Sequence, residues 1–221
     1  MSATSGRPTD QGPLSPSVTA ACRFAAAMTR GREPEAVEAL AVLRASGAPR
    51  KLAEECALML MLYAGYPAAL EGLRVLNAAW PGRPRASREG GLAQWRARGE
   101  RLCRRVYGPA YAKLIPAVRT LHPDLATWMV EHGYGRVLSR PGANARTREL
   151  VTIASLASLG WERQLVSHML GAVRVGASPL EAVAALELGA ERADARGRAV
   201  ARRTRTRLAR TGPSGTRDTR P

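Results

Sequence analysis

The chain has 221 residues, enough for one or two domains with a sizeable core. Its net charge of +16 is carried almost wholly by arginine, because Lys51 and Lys113 are the only lysines. The longest apolar run, Ala57–Ala64, is too short for a bilayer, the polar N-terminus holds no secretory core segment, and Cys22, Cys56 and Cys103 are too scattered for a disulfide framework. These features point to a reduced, cytoplasmic protein without a membrane partner.

Residues 1–16 are rich in Ser, Thr, Gly and Pro and read as a disordered N-terminus. Beyond them nearly everything reads as helix. Strand alternation and hairpin signals are missing, there is one Phe in the chain, and alanine and leucine dominate. The pattern predicts helices at about 18–30, 34–46, 50–63, 67–79, 92–106, 109–121, 123–139, 145–159, 161–175 and 179–200. Pro34, Pro67, Pro123 and Pro179 fall where first-turn prolines are tolerated, and Ser178 with Glu181 forms a capping box. Gly47, Gly160 and Gly176 suit helix ends.

The Pro/Gly/Arg stretch 81–91 reads as a linker between a first unit, 17–80, and a second, 92–191. An Arg-rich tail follows at 192–221, with ten arginines against Asp194 and Asp218. A phosphate-binding arm is one reading of that tail. No aromatics are interleaved with it, so a solvated, partly helical tail is the better expectation, and nucleic acid is not an expected partner.

The two units are faintly self-similar at an offset of 129. Ala25 matches Ala154, Gly31 matches Gly160, Glu33 matches Glu162, and Gly47-Ala48 matches Gly176-Ala177. The reading is a tandem duplication of one helical unit. At this offset Ala20 and Ala39 stand where the second unit has Glu149 and His168. The first unit is therefore a degenerate copy.

Glu149 and His168 are the candidate catalytic residues. The helix carrying Glu149 ends near Gly160, and a tight hairpin back would place Glu149 opposite about residue 171, within a turn of His168. A carboxylate beside an imidazole fixes which nitrogen carries the proton, and such a pair can move protons near neutral pH. The plainer alternative is a half-buried histidine beside Trp161 with Glu149 in an ordinary ion pair. Three histidines without metal-ligand spacing give no metal site, and no phosphate-cradling loop or dinucleotide fingerprint is present.

The segment Tyr134-Gly135-Arg136 to Ser139-Arg140-Pro141-Gly142, then Arg146-x-Arg148-Glu149, then Trp161 to His168 and Gly171-Ala172, resembles the carboxymuconolactone decarboxylase family, which includes the alkylhydroperoxidase D-like proteins. Leu62-Tyr63-Ala64-Gly65-Tyr66-Pro67-Ala68-Ala69 is similar to the last-helix motif of that family. In the peroxidase branch a cysteine pair stands where this chain has Trp161 and Gln164, while the glutamate and histidine are kept. The resemblance implies an all-α bundle of two related units and a homo-oligomer, a trimer or hexamer. It also implies cofactor-free acid–base chemistry on a small carboxylated lactone. His168 would be the general acid/base and Glu149 its orienting partner. Arg140 and Arg148 would hold substrate carboxylates, and Tyr134, Trp161 and Gln164 would line the site. The alternatives are a non-catalytic scaffold and, against the missing cysteine pair, a peroxidase-type antioxidant.

Overall fold

A computed structural model describes residues 13–87 and 90–210, the side chains of 208–210 excepted. Of the N-terminus expected to be disordered over 1–16, residues 1–12 lie outside the described residues, as does the tail end, 211–221, whereas Leu14 is buried and Ser15 and Pro16 open the first helix. The protein is all-α, and no strand occurs among the described residues.

The first four helices are α1 (Pro16–Thr29), α2 (Glu33–Ala45), α3 (Arg50–Tyr63) and α4 (Gly65–Ala79). Then come α5 (Leu92–Tyr107), a 3-10 turn at Gly108–Ala110, α6 (Tyr111–Leu121) and α7 (Pro123–Trp128). A π-helical stretch, Met129–Leu138, leads into α8 (Ala145–Leu159), α9 (Glu162–Arg174), α10 (Pro179–Ala190) and α11 (Ala195–Arg210). No described helix is long and apolar enough to cross a membrane.

Local chemistry explains most of these boundaries. Ser15 caps α1 ahead of Pro16, Asn144 caps α8, and the Ser178/Glu181 capping box opens α10. Alpha-helices α1 and α8 form the centre. Nearly every side chain of α8 is buried, and small residues on α1 (Ala20, Ala21, Ala25, Ala26, Ala27) let neighbours pack closely against it.

Three expectations are corrected. The helix expected over 123–139 is α7 running into the π-helical stretch. Here α5 crosses so closely that a Cβ on Gly135 would lie 2.1 Å from the Trp95 carbonyl oxygen, and one on Gly99 2.0 Å from that of Val130. The helix expected over 179–200 breaks at residues 191–194 without a proline. Asp194 accepts from the Gly197 N–H at 2.8 Å to start α11, and Arg198 donates to the Ala193 carbonyl at 2.6 Å. The stretch expected to begin a solvated, partly helical tail is helical as α11, but it is not wholly solvated, since it buries Val200, Ala201 and Thr204.

The helix bounds repeat at the sequence offset of 129. Shifted by that amount, α2 (Glu33–Ala45) becomes 162–174, the span of α9, and α1 starts at 145, the first residue of α8. Gly31 and Gly160 (φ +66° and +73°) end the first helix of each set in the same left-handed conformation. Thr29 and Ser158, themselves 129 apart, hydrogen-bond to each other at 2.6 Å.

Candidate functional site

Asn144 fixes the start of α8 by accepting the Thr147 N–H at 2.8 Å, which puts Arg148 at the end of the first turn and Glu149 at the start of the second. Adjacent helical residues point about 100° apart, so the two side chains meet different neighbours.

Glu149 faces α9 and α5. Its Oε2 lies 2.8 Å from Nδ1 of His168, with Glu149 2% and His168 8% exposed. The hairpin brings Gly171 directly over the carboxylate: a Cβ there would lie 3.0 Å from Glu149 Oε2 and 2.5 Å from Val106 Cγ1. The carboxylate on Nδ1 places the neutral ring's proton on that nitrogen and leaves Nε2 as the basic one.

Three phenols lie on the side of the pair toward α3 and α5, one of them against His168. The Tyr107 ring meets that of His168 edge-on at 6.4 Å between centroids, and Tyr134 meets Tyr107 at 5.9 Å. Tyr63 reaches in from the end of α3, its hydroxyl 2.5 Å from Thr152 Oγ1, one turn beyond Glu149. Burial raises all three phenol pKa values, Tyr107's to about 12, and the charge of Glu149 adds to each rise. Cys103 is held at about 12 by burial and then by Glu149. These groups therefore stay un-ionised within reach of the charge of one buried carboxylate.

Arg148 turns the other way, to α3. It is 1% exposed, and it donates to Glu55 at 2.9 Å and to the Arg140 carbonyl at 2.9 Å. Arg140 binds Glu55 at 3.1 Å and Ser87 Oγ at 3.0 Å, and Lys51 approaches the same carboxylate at 3.1 Å. Burial pushes the Glu55 carboxyl up, but Arg148, Arg140 and Lys51 outweigh it and leave the group below the usual range. The Arg-Pro-Gly segment is thus gathered on a carboxylate of its own chain. Arg140 also lines a cleft of about 540 Å³ with Arg50, Lys51, Trp95 and Arg136. Arg146 pairs with Glu181.

The remaining expected site residues divide between the interior and the surface. Tyr134 is buried beside Tyr107, whereas Trp161 is 52% exposed before α9 and Gln164 is exposed on its first turn. His122 caps α7 by accepting the Asp124 N–H at 3.2 Å. Cys22, Cys56 and Cys103 are all free and buried, and among the described residues no group of three or more His, Cys, Asp or Glu could hold a metal ion. Sequence reasoning missed Tyr107, Thr152 and Glu55. No local motif marks them, because their roles come from packing between helices far apart in the chain.

This geometry belongs to an all-α bundle with a carboxylate–imidazole pair on consecutive helices. Residues 123–204, from α7 into α11, match the model of the carboxymuconolactone decarboxylase family. Over this segment, somewhat more than a third of its length, the chain is similar to that family. No curated protein matches the chain.

Proposed function

We propose that this protein performs cofactor-free acid–base chemistry, decarboxylation or isomerisation, on a small carboxylated lactone, and that its chain is a tandem duplication. The observation that carries the reading is the 2.8 Å contact between Glu149 and His168, both buried, with the un-ionised phenol of Tyr107 edge-on to the imidazole. In the decarboxylation, the bond from the ring carbon to the carboxylate breaks and carbon dioxide leaves. The electron pair enters the conjugated lactone, and protonated His168 delivers a proton to carbon before recovering one from water. Glu149 holds the ring in register and stabilises its protonated form. The phenol of Tyr107 supplies a donor for the oxygen on which negative charge collects.

A second reading, a fold kept without its chemistry, is favoured by the exposed Trp161 and Gln164 and by Ala20 and Ala39 in the first unit. Thiol peroxidase action finds less support, since burial raises all three cysteine pKa values, Cys56 and Cys103 to about 12. The test is carbon dioxide release from carboxymuconolactone by wild type, His168→Ala and Glu149→Gln. Turnover by wild type with a loss of about 10²–10⁴-fold in His168→Ala supports the proposal. Equal rates in the two proteins, or no turnover by wild type, count against it.

A further inference from the structure

The two four-helix sets each lack part of what a complete site requires, and the missing parts are complementary. Positions 20 and 39 of the first set hold buried alanines where the second set has Glu149 and His168. Position 192 of the second set holds arginine where the first has Tyr63. Thr29 and Ser158, equivalent by the offset, touch each other, as equivalent positions beside a two-fold axis do. Across that axis Tyr63 of α3 bonds to Thr152 of α8, while Arg192 donates to Glu35 of α2 at 2.8 Å. Residues 63 and 192, equivalent by the offset, both reach the other set but meet non-equivalent partners, and only Tyr63 ends beside an acid–base pair.

The hydrogen-bond directions can be assigned. The Thr152 hydroxyl donates its one proton to the Arg148 carbonyl at 2.8 Å, so the Tyr63 phenol must donate to Thr152 Oγ1 at 2.5 Å. That chain of donors ends on the backbone of the turn that carries Glu149. The phenol is also close enough to Glu149 for the carboxylate's charge to oppose its ionisation. We propose that the surviving site is composite: Tyr63, delivered by the degenerate first unit, is a positioning residue for the Glu149–His168 pair of the second. The first unit then keeps a part in the chemistry although it has lost its own acid–base residues. The inference rests on the acid–base reading of that pair.

The test uses the full chain labelled with ¹⁵N-histidine, following the Nδ1–H resonance of His168, assigned by its loss in His168→Gln. A ring N–H bonded to a buried carboxylate resonates at low field and exchanges slowly with water. Tyr63→Phe keeps the ring that fills the space and removes only the hydroxyl. The expected result is exchange faster by about tenfold or more, with an unchanged circular dichroism spectrum. Arg192→Ala, the change at the equivalent position, leaves the resonance as in wild type. Should Tyr63→Phe fail to fold, Thr152→Val removes the acceptor from within the second unit, and the same faster exchange is expected. Wild-type exchange in the folded Tyr63→Phe, or in Thr152→Val when that variant stands in for it, while Glu149→Gln abolishes the signal, would overturn the inference and leave the acid–base reading intact. A signal that persists in Glu149→Gln would instead overturn the reading itself.

Discussion

Glu55 and Glu149 are both buried carboxylates at the interior face of this bundle, and they differ in what neutralises them. Glu55 is gripped by Arg148, Arg140 and Lys51, two of them guanidinium groups that do not lose their protons. Among the described residues Glu149 has one partner within ion-pair distance, an imidazole that carries charge only when protonated, and otherwise phenols and a thiol that stay protonated. A carboxylate saturated with permanent cations is fixed in charge and serves as a brace. One bonded to a titratable ring keeps a proton to exchange. The same helix, α8, carries Arg148 toward Glu55 and Glu149 toward His168, so adjacent residues divide the brace from the proposed acid–base pair.

Removing the brace is the strongest way to break this comparison. Glu55→Ala leaves Arg148 buried without its carboxylate and is expected to lower the unfolding free energy by about 3–5 kcal/mol, read from the urea midpoint. A loss well under about 1 kcal/mol would mean the cluster is no brace at all. The pH dependence follows in sign. The folded carboxyl of Glu55 sits below its ordinary value, so its stabilisation is present above the usual glutamate range. It is lost as pH falls below about 4.3 toward the lower folded value. The gap in urea midpoint between wild type and Glu55→Gln should therefore narrow on acidification, and a constant gap from pH 7 to pH 3 would refute the assignment.

How much of this was legible in the sequence divides along the same line. Helix existence followed from alanine-rich periodicity, the capping box at Ser178 and the first-turn prolines, because those signals are local. The Glu149–His168 approach was also legible, since Gly160 ends one helix tightly enough to fix where the next one returns. The break at 191–194 was not, because an Asp cap inside an arginine-rich run looks like continuing helix. Nor was the fate of Arg140 and Arg148. Their partner Glu55 lies on α3, and nothing near it in sequence marks the meeting.

Crowding the pair is a smaller intervention that sharpens the contrast. Gly171→Ala puts a methyl 2.5 Å from Val106 Cγ1 and 3.0 Å from the Glu149 carboxylate. It should cost about 1–3 kcal/mol and displace the His168 ring resonances while leaving the Glu55 cluster untouched. An undisturbed His168 would show that α9 shifts freely and that the pair is not held in place.

The thiols are expected to be quieter still. With Cys56 and Cys103 at about 12, only about one part in ten thousand of either is thiolate at pH 8. The folded protein should take up no aromatic disulfide reagent until denaturant opens it. Rapid labelling of a native thiol would bring peroxide chemistry back into consideration.

The smallest effect is expected where the resemblance to the peroxidase branch is broken. Trp161 and Gln164 stand in solvent, so Trp161→Ala and Gln164→Ala should each change stability by no more than about 0.5 kcal/mol in a urea melt. This small cost gives the variants their value. A change in either one that weakens carboxymuconolactone turnover cannot be ascribed to lost packing, and it would place the mouth of the site at the start of α9. Turnover unchanged in both would leave access to His168 to the side bounded by Tyr63 and Tyr107, where the first unit meets the second.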